Sequence, residues 1–270
     1  MRTLCFHQKF SFERSLMKGF LHSVATNPTT SKSQIGAYLG INPYKVESVR
    51  GWFVKLGLGS GSAKQYHLSP FGAAVVEHDP DLMKPGTLWL LHYFLVSEHA
   101  ERAEVWYRCF NEFAFPGRQF TYQELGAYVE RCLPEPSTNR QAVMYDAQEV
   151  LKTYRSSTAL GELSILTKQS DLAVTAKLPT LPDLMIAAYV LFDTWQRRYG
   201  AADTLRLSQI ATEPEMLGRV FVATPTQVRE LILRLQALGL VNYADTQHEP
   251  VTRRFSDPLE TLLSRYYSQP

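Results

Sequence analysis

Several polar side chains interrupt apolar stretches, and each raises a question of chemistry. His92 lies inside "GTLWLLHYFLV". Asn111 and Glu112 sit between aromatics in "CFNEFAF". Asp146 stands three residues before Glu149 in "MYDAQEVLKTY". A polar group buried without a partner costs about a few kcal/mol, so each must find partners or line a site. Carboxylates can hold Mg²⁺ or Mn²⁺ through oxygen ligands, and the metal can then activate a water against a phosphate. Glu112 with Asp146 is a candidate pair for such chemistry if the fold brings the two together, and His92 and Asn111 are further candidate catalytic residues. The structural alternatives are a hydrogen-bonded core histidine at His92 and a helix-end cap at Asn111 and Glu112. "EHDPDL" gathers Glu77, His78, Asp79 and Asp81. That run is either a hard-metal site or a solvated loop whose aspartate caps the next helix.

A second group of residues suits contact with nucleic acid. In "TSKSQIGAYLGINPYKVESVRGWFVKLGLGSG", Ser31 and Gln34 form a capping box, and Asn42 with Pro43 starts a further helix. Val46, Val49, Phe53 and Leu56 share one helical face. Tyr44, Lys45, Ser48 and Arg50 are placed to enter a groove, and Lys55, Lys64 and Tyr66 to serve a glycine-bounded wing. Residues 205–256 echo this layout. Thr224, Pro225 and Gln227 begin a helix that buries Val228, Leu231, Leu235 and Leu238 and presents Gln227, Arg229 and Arg234. "VNYADTQ" and "VTRRF" read as its wing strands.

The elements that must position these residues form a mainly α chain with short β-hairpins. Winged-helix-like modules over 1–80 and 201–270 flank a helical middle over 81–200. In the middle, "GTLWLLHYFLV" and "AEVWYRCFNEFAF" are too aromatic for exposed helices, and "GELSILTK" with "LAVTAK" reads as a hairpin. The 270 residues are 45% hydrophobic and 12% aromatic, as expected of a chain with a substantial core. No apolar run is long enough to span a bilayer, and the first residues do not read as a secretory signal. Three cysteines suit free thiols in a reducing compartment. The net charge of +2 is unevenly spread: residues 1–75 carry +7, residues 76–204 carry −5, and the remainder is neutral. A basic leading module suggests a polyanionic partner. Phosphate-binding glycine loops, dinucleotide fingerprints, His-Glu-x-x-His, Cys-x-x-Cys and Gly-x-Ser-x-Gly are all missing from the sequence.

The blocks "FHQKFSFERSLMKGF", "DPDLMKPGTLWLLHYFL", "WYRCFNEF", "VMYDAQEVLKTY", "LPDLMIAAYVLFDTW" and "GRVFVATPTQVRELILRLQALG" occur in this order. Together they resemble the SspB-like family of bacterial single-stranded DNA phosphorothioate-modification clusters, once known only as a domain of unknown function. The resemblance covers nearly the whole chain. It implies a cytoplasmic protein acting on double-stranded DNA, nicking one strand so that sulfur can replace a phosphate oxygen. The companions it implies are a cysteine desulfurase, an ATPase and a sulfurtransferase-like protein. Two positions depart from the family pattern. "HETF" becomes "HQKF", with Gln8 and Lys9, and Met83 and Lys84 precede Pro85 where an acid often stands. An acid that held a metal at either place is lost in this chain. Two readings therefore stay open: a metal-dependent nickase, or a non-enzymatic DNA-binding regulator or adaptor that docks other modification proteins.

Overall fold

The computed structural model describes residues 4–61, 65–99, 102–134, 140–170 and 172–269. Helix α1 (Arg14–Thr26) buries Met17, Phe20, Leu21 and Val24 at helical spacing. Helix α2 (Lys32–Leu39) starts at the expected capping box: Gln34 N–H donates to Ser31 Oγ, and Ser31 N–H donates to Gln34 Oε1 at 2.9 Å. Helix α3 (Pro43–Lys55) starts where Lys45 N–H donates to Asn42 Oδ1 at 2.9 Å. Gly57, at φ +69°, turns the chain out of α3 in a left-handed conformation that glycine adopts freely. Strand β1 (Gly59–Gly61) then pairs antiparallel with β2 (Tyr66–Leu68). Tyr66 N–H donates to the carbonyl of Pro28, tying the segment before α2 to this hairpin.

After α4 (Pro70–His78) and α5 (Pro85–Val96), a related arrangement begins. Helix α6 (Glu104–Arg108) runs into a π-helical turn at Cys109–Phe113. Strand β3 (Gln119–Thr121), helices α7 (Tyr122–Cys132) and α8 (Arg140–Arg155), and strands β4 (Leu166–Lys168) and β5 (Ala173–Ala176) follow. The antiparallel sheet has the order β3-β5-β4. The plan recurs a third time: α9 (Leu184–Tyr199), β6 (Thr204–Arg206), α10 (Leu207–Thr212), the short α11 (Leu217–Val220), α12 (Pro225–Ala237), β7 (Val241–Tyr243) and β8 (Pro250–Arg253). Its sheet order is β6-β8-β7, again with the last strand in the centre. Helix, strand, helix, helix, strand, strand is thus the ground plan of both later units, and the first keeps it with the first strand reduced to the Pro28 contact. The echo expected between the two ends extends to the middle. In each unit the second helix begins the same way, with Gln34, Glu124 or Gln209 accepting from the backbone N–H three residues earlier.

Helices α5 and α9 fill the centre. Every residue of α5 from Gly86 to Tyr93 is buried, as a helix apolar on all sides must be. Helix α13 (Glu260–Tyr267) closes over the start of α5. Gly86 N–H donates to Tyr266 Oη at 2.8 Å, and Thr87 Oγ1 lies 2.7 Å from Tyr267 Oη. A Cβ on Gly86 would come within 2.2 Å of the Tyr266 ring, so this contact requires glycine. Two positions expected on buried faces are exposed: Tyr38 at 58% and Leu238, at the C-cap of α12, at 49%. Among the described residues no helix is long and apolar enough to cross a membrane.

Candidate functional site

Residues 5–11 form a strip between α3 of the first unit and α8 of the middle unit. Its odd-numbered residues meet α8. Cys5 N–H donates to both Asp146 oxygens, at 3.1 and 3.0 Å, and His7 Nε2 lies 2.9 Å from Asp146 Oδ1. Lys9 Nζ sits 4.4 Å from the centre of the Tyr145 ring, and Ser11 Oγ donates to Glu149 Oε2 at 3.1 Å. Phe6 and Phe10 meet α3. The Phe6 ring packs 4.9 Å from Trp52, and the Phe10 carbonyl accepts from Trp52 Nε1 at 3.2 Å and from Ser48 Oγ at 3.5 Å. The strip is held in an unfavourable backbone conformation, with φ of +52°, +48° and +64° at Cys5, Gln8 and Lys9. Such conformations persist when surrounding contacts over-determine them.

Asp146 is fully buried, and His7 beside it is 1% exposed. His7 Nδ1 and Glu149 Oε1 are buried and have no hydrogen-bond partner among the described residues. Burial raises the pKa of Glu149 despite the Ser11 hydrogen bond and the nearby charges of His7 and Lys152. Burial, reinforced by the Asp146 charge, pushes the Cys5 thiol up to about 12, so it is not an activated nucleophile. Beside the strip opens a cleft of about 810 Å³ between Ser11–Glu13, the last turn of α8 and β4. Lys152, Arg155 and Lys168 line it, together with the hydroxyls of Ser11, Ser156, Thr158, Ser164 and Thr167. The acid on its wall, Glu13, holds Lys45 Nζ at 3.0 Å.

The four residues expected to be catalytic have separate surroundings. His92 is fully buried, with Nδ1 2.5 Å from Tyr154 Oη and Nε2 2.7 Å from the Val220 carbonyl. Burial lowers its pKa to about 4, although the Val220 hydrogen bond opposes this, so it is a neutral core imidazole. Asn111 donates to the carbonyls of Val96 and Tyr107 at 2.7 and 3.0 Å and accepts from Glu215 N–H at 2.6 Å. All three contacts are structural ties. Glu112 accepts from Arg108 at 2.7 Å and from Tyr128 Oη at 3.1 Å. It shares none of these partners with Asp146, so the two carboxylates are not one bonded group. Asp79 accepts from the backbone N–H of Met83 and Lys84 at 2.9 and 2.8 Å, and Asp81 pairs with Lys18. Among the described residues no three His, Cys, Asp or Glu side chains converge to hold a metal ion. The donor set for Mg²⁺ or Mn²⁺ is thus not assembled by these side chains alone.

Of the residues expected to enter a groove, Ser48 on α3 is turned inward, and so are Lys55 and Tyr66, which were expected to serve the wing. Ser48 and Tyr66 are each 1% exposed and Lys55 is 5% exposed. Ser48 faces the Phe10 carbonyl, Lys55 Nζ lies 5.8 Å from the Phe6 ring centre, and Tyr66 packs edge-on against Phe20 and Phe53. The strip covers α3 at Ser48 and Lys55. Tyr44, at 73% exposure, does face solvent. Lys45 pairs with Glu13, and both Lys32 and Arg50 pair with Glu47 at 2.8 Å. Arg14 is buried against Glu162. The basic excess of residues 1–75 is therefore dispersed and partly neutralised by acids from the rest of the chain. Lys64 lies outside the described residues. In the third unit Gln227 is occupied by the cap with Thr224, Arg229 pairs with Asp245 at 2.7 Å, and Arg234 pairs with Glu230 at 2.5 Å. His7, Ser11 and Glu149 were not among the expected site residues. "HQKFS" so far from "DAQEV" gives no spacing signal that would join them.

No curated protein sequence matches the chain. Two solved crystal structures of SspB, one with a magnesium ion bound, share its fold. Each has a TM-score of 0.82 and 20% identity and covers 99% of this chain and 90% of its own. At that identity the likeness establishes the fold. A family model for a protein of unknown function, DUF4007, matches residues 5–267, so the chain belongs to this SspB-like family.

Proposed function

We propose that this protein is a DNA-directed component of a bacterial phosphorothioate-modification system. The observation that carries this reading is the structural correspondence with SspB over 99% of the chain. We read each of the three units as a winged helix, with α3, α8 and α12 as the third helices and the hairpins as wings. The units, rather than the divisions at residues 80 and 200, are then the natural domains. Because the strip locks α3 to α8, those two helices do not enter grooves independently. DNA contact falls instead to surfaces beside them: Tyr44 at the start of α3, and Arg229 and Arg234 on α12.

Nicking of one strand is the activity this reading assigns. Asp146 is a positioning residue in it, since it holds His7 and the strip. The test uses supercoiled plasmid with Mg²⁺ or Mn²⁺. Open circles that disappear with EDTA and with Glu149→Gln support the nickase. Binding that weakens steeply with salt, without open circles, supports a DNA-binding component that does not cut. Failure to bind plasmid at low salt overturns the DNA reading. A second reading, an adaptor that docks the desulfurase, ATPase or sulfurtransferase-like protein, is favoured by one observation. Arg14, Lys18, Lys32, Lys45 and Arg50 of the first unit are already paired with acids within the chain.

A further inference from the structure

We propose that the cleft between Ser11–Glu13, the end of α8 and β4 is a binding site for a phosphate ester. The segment that supplies most of its lining is acidic overall, at −5 across residues 76–204. Yet at this one place it brings three cations, Lys152, Arg155 and Lys168, to a common wall. They come from two elements, α8 and β4, that the fold must bring together, so sequence neighbours alone do not explain the grouping. Hydroxyls fill the space between the cations, and hydroxyl and cation together are the groups that hold phosphate oxygens. The acid on the wall, Glu13, is turned to Lys45 and so repels an incoming anion less. Lys152 extends into solvent with its side chain 65% exposed, and its nearest acid, Glu149 Oε2, is 3.9 Å away, beyond a hydrogen bond.

Below the cleft lies a second feature that calls for a partner. Ser11, on the wall, donates to Glu149, whose other oxygen is buried and unpartnered. A buried oxygen of this kind is satisfied by carrying a proton and donating it, and burial already favours that form. The raised pKa of Glu149 lessens the negative charge that this carboxyl sets beneath an anion. At about 810 Å³ the cleft is large enough for a nucleotide-sized group. A second cleft of about 700 Å³ sets Asp203 beside Arg253 and Arg254, and a third of about 350 Å³ holds Arg219 as its charged residue. Neither gathers three cations.

The phosphate ester has two possible sources, a DNA strand or a free nucleotide. The first deepens the proposed function and rests on it; the second does not. The experiment uses the full chain, with fluorescein-labelled oligothymidylate of a dozen residues and thymidine monophosphate as probes. Oligonucleotide binding is followed by anisotropy and the monophosphate by calorimetry. The variant is Lys152→Glu with Lys168→Glu. The control is Arg265→Glu with Lys18→Glu, which makes the same charge change at exposed positions elsewhere. Thermal melts confirm that both variants fold. The expected result is at least tenfold weaker binding of one or both probes by the cleft variant and less than twofold by the control. Loss confined to the oligonucleotide identifies a strand, and loss for the monophosphate a free nucleotide. Equal losses in both variants, unchanged binding in the cleft variant, or no binding of either probe by the parent protein overturns the proposal. Plasmid binding that survives in the cleft variant while both probes bind it as they bind the parent would sink this site and leave the DNA reading intact.

Discussion

The first and middle units share a ground plan but differ in where the fold collects their cations. The first is rich in lysine and arginine, and the fold places these beside acids or under aromatic rings. Lys18 meets Asp81, Arg14 meets Glu162, and Lys55 is covered by Phe6. The middle belongs to an acidic segment, yet it gathers Lys152, Arg155 and Lys168 around one cleft. Net charge along a sequence reports how much charge a segment carries. Where that charge acts depends on which neighbours the fold supplies, and a local pair at 3 Å outweighs a distant excess screened by salt. The third helices show the same contrast. The strip gives α3 aromatic rings and a carbonyl, and gives α8 an imidazole, a backbone N–H and a hydroxyl.

The largest effect should come from the α8 side of the strip. Asp146→Ala leaves His7 and the Cys5 N–H without their acceptor, and should cost about 3–5 kcal/mol in chemical unfolding. Phe10→Ala, on the α3 side, keeps its carbonyl acceptor and should cost less. Reversal of that order would show that the strip is anchored by α3 instead.

His92 ties the middle unit to the third through Val220. Its pKa in the fold, about 4, lies below the ordinary value of 6.5. The folded state therefore takes this proton less readily than the unfolded chain. Its contribution is full above pH 6.5 and is lost as the pH falls toward 4, amounting to about 3 kcal/mol. Unfolding free energies measured across this window should fall as the pH drops, and His92→Gln should flatten the slope. An unchanged slope in the variant would assign the pH dependence to other groups.

Removing a helix cap should matter less. Thr224→Ala should lower stability by about 1 kcal/mol, read from a denaturant midpoint. Ser31→Ala, in the first unit, tests whether its cap carries a similar weight. The smallest effect is expected on DNA binding from Arg50→Gln. Arg50 is already paired with Glu47, so a plasmid-binding titration should shift less than twofold. A tenfold loss would restore α3 as a DNA-contacting helix.

Much of the fold was legible in short-range chemistry. Ser31 with Gln34, Asn42 with Pro43, and Thr224 with Gln227 cap helices where their types and spacing predict, because a cap is settled within four residues. The aromatic runs around Trp89 and Trp106 are core, since nothing else can cover them. The middle copy of the ground plan was hidden because β3 is three residues long and gives no alternation to read. The candidate site was less legible. Asp146 was singled out by its position, but its partners Cys5 and His7 lie 141 and 139 residues away. Ser48, Lys55 and Tyr66 have the residue types of a DNA face, but helical periodicity does not reveal a covering strip from another part of the chain.

The clasp of Tyr266 and Tyr267 on the start of α5 sets an order of events. Helix α5 lies at the centre of the molecule, and the N–H of Gly86 and hydroxyl of Thr87 meet groups 180 residues downstream. During synthesis these donors must remain hydrated until that distant helix has emerged. The central helix can gather its neighbours early, but its entrance is sealed late, and an interrupted chain would leave it open to solvent and to chaperones.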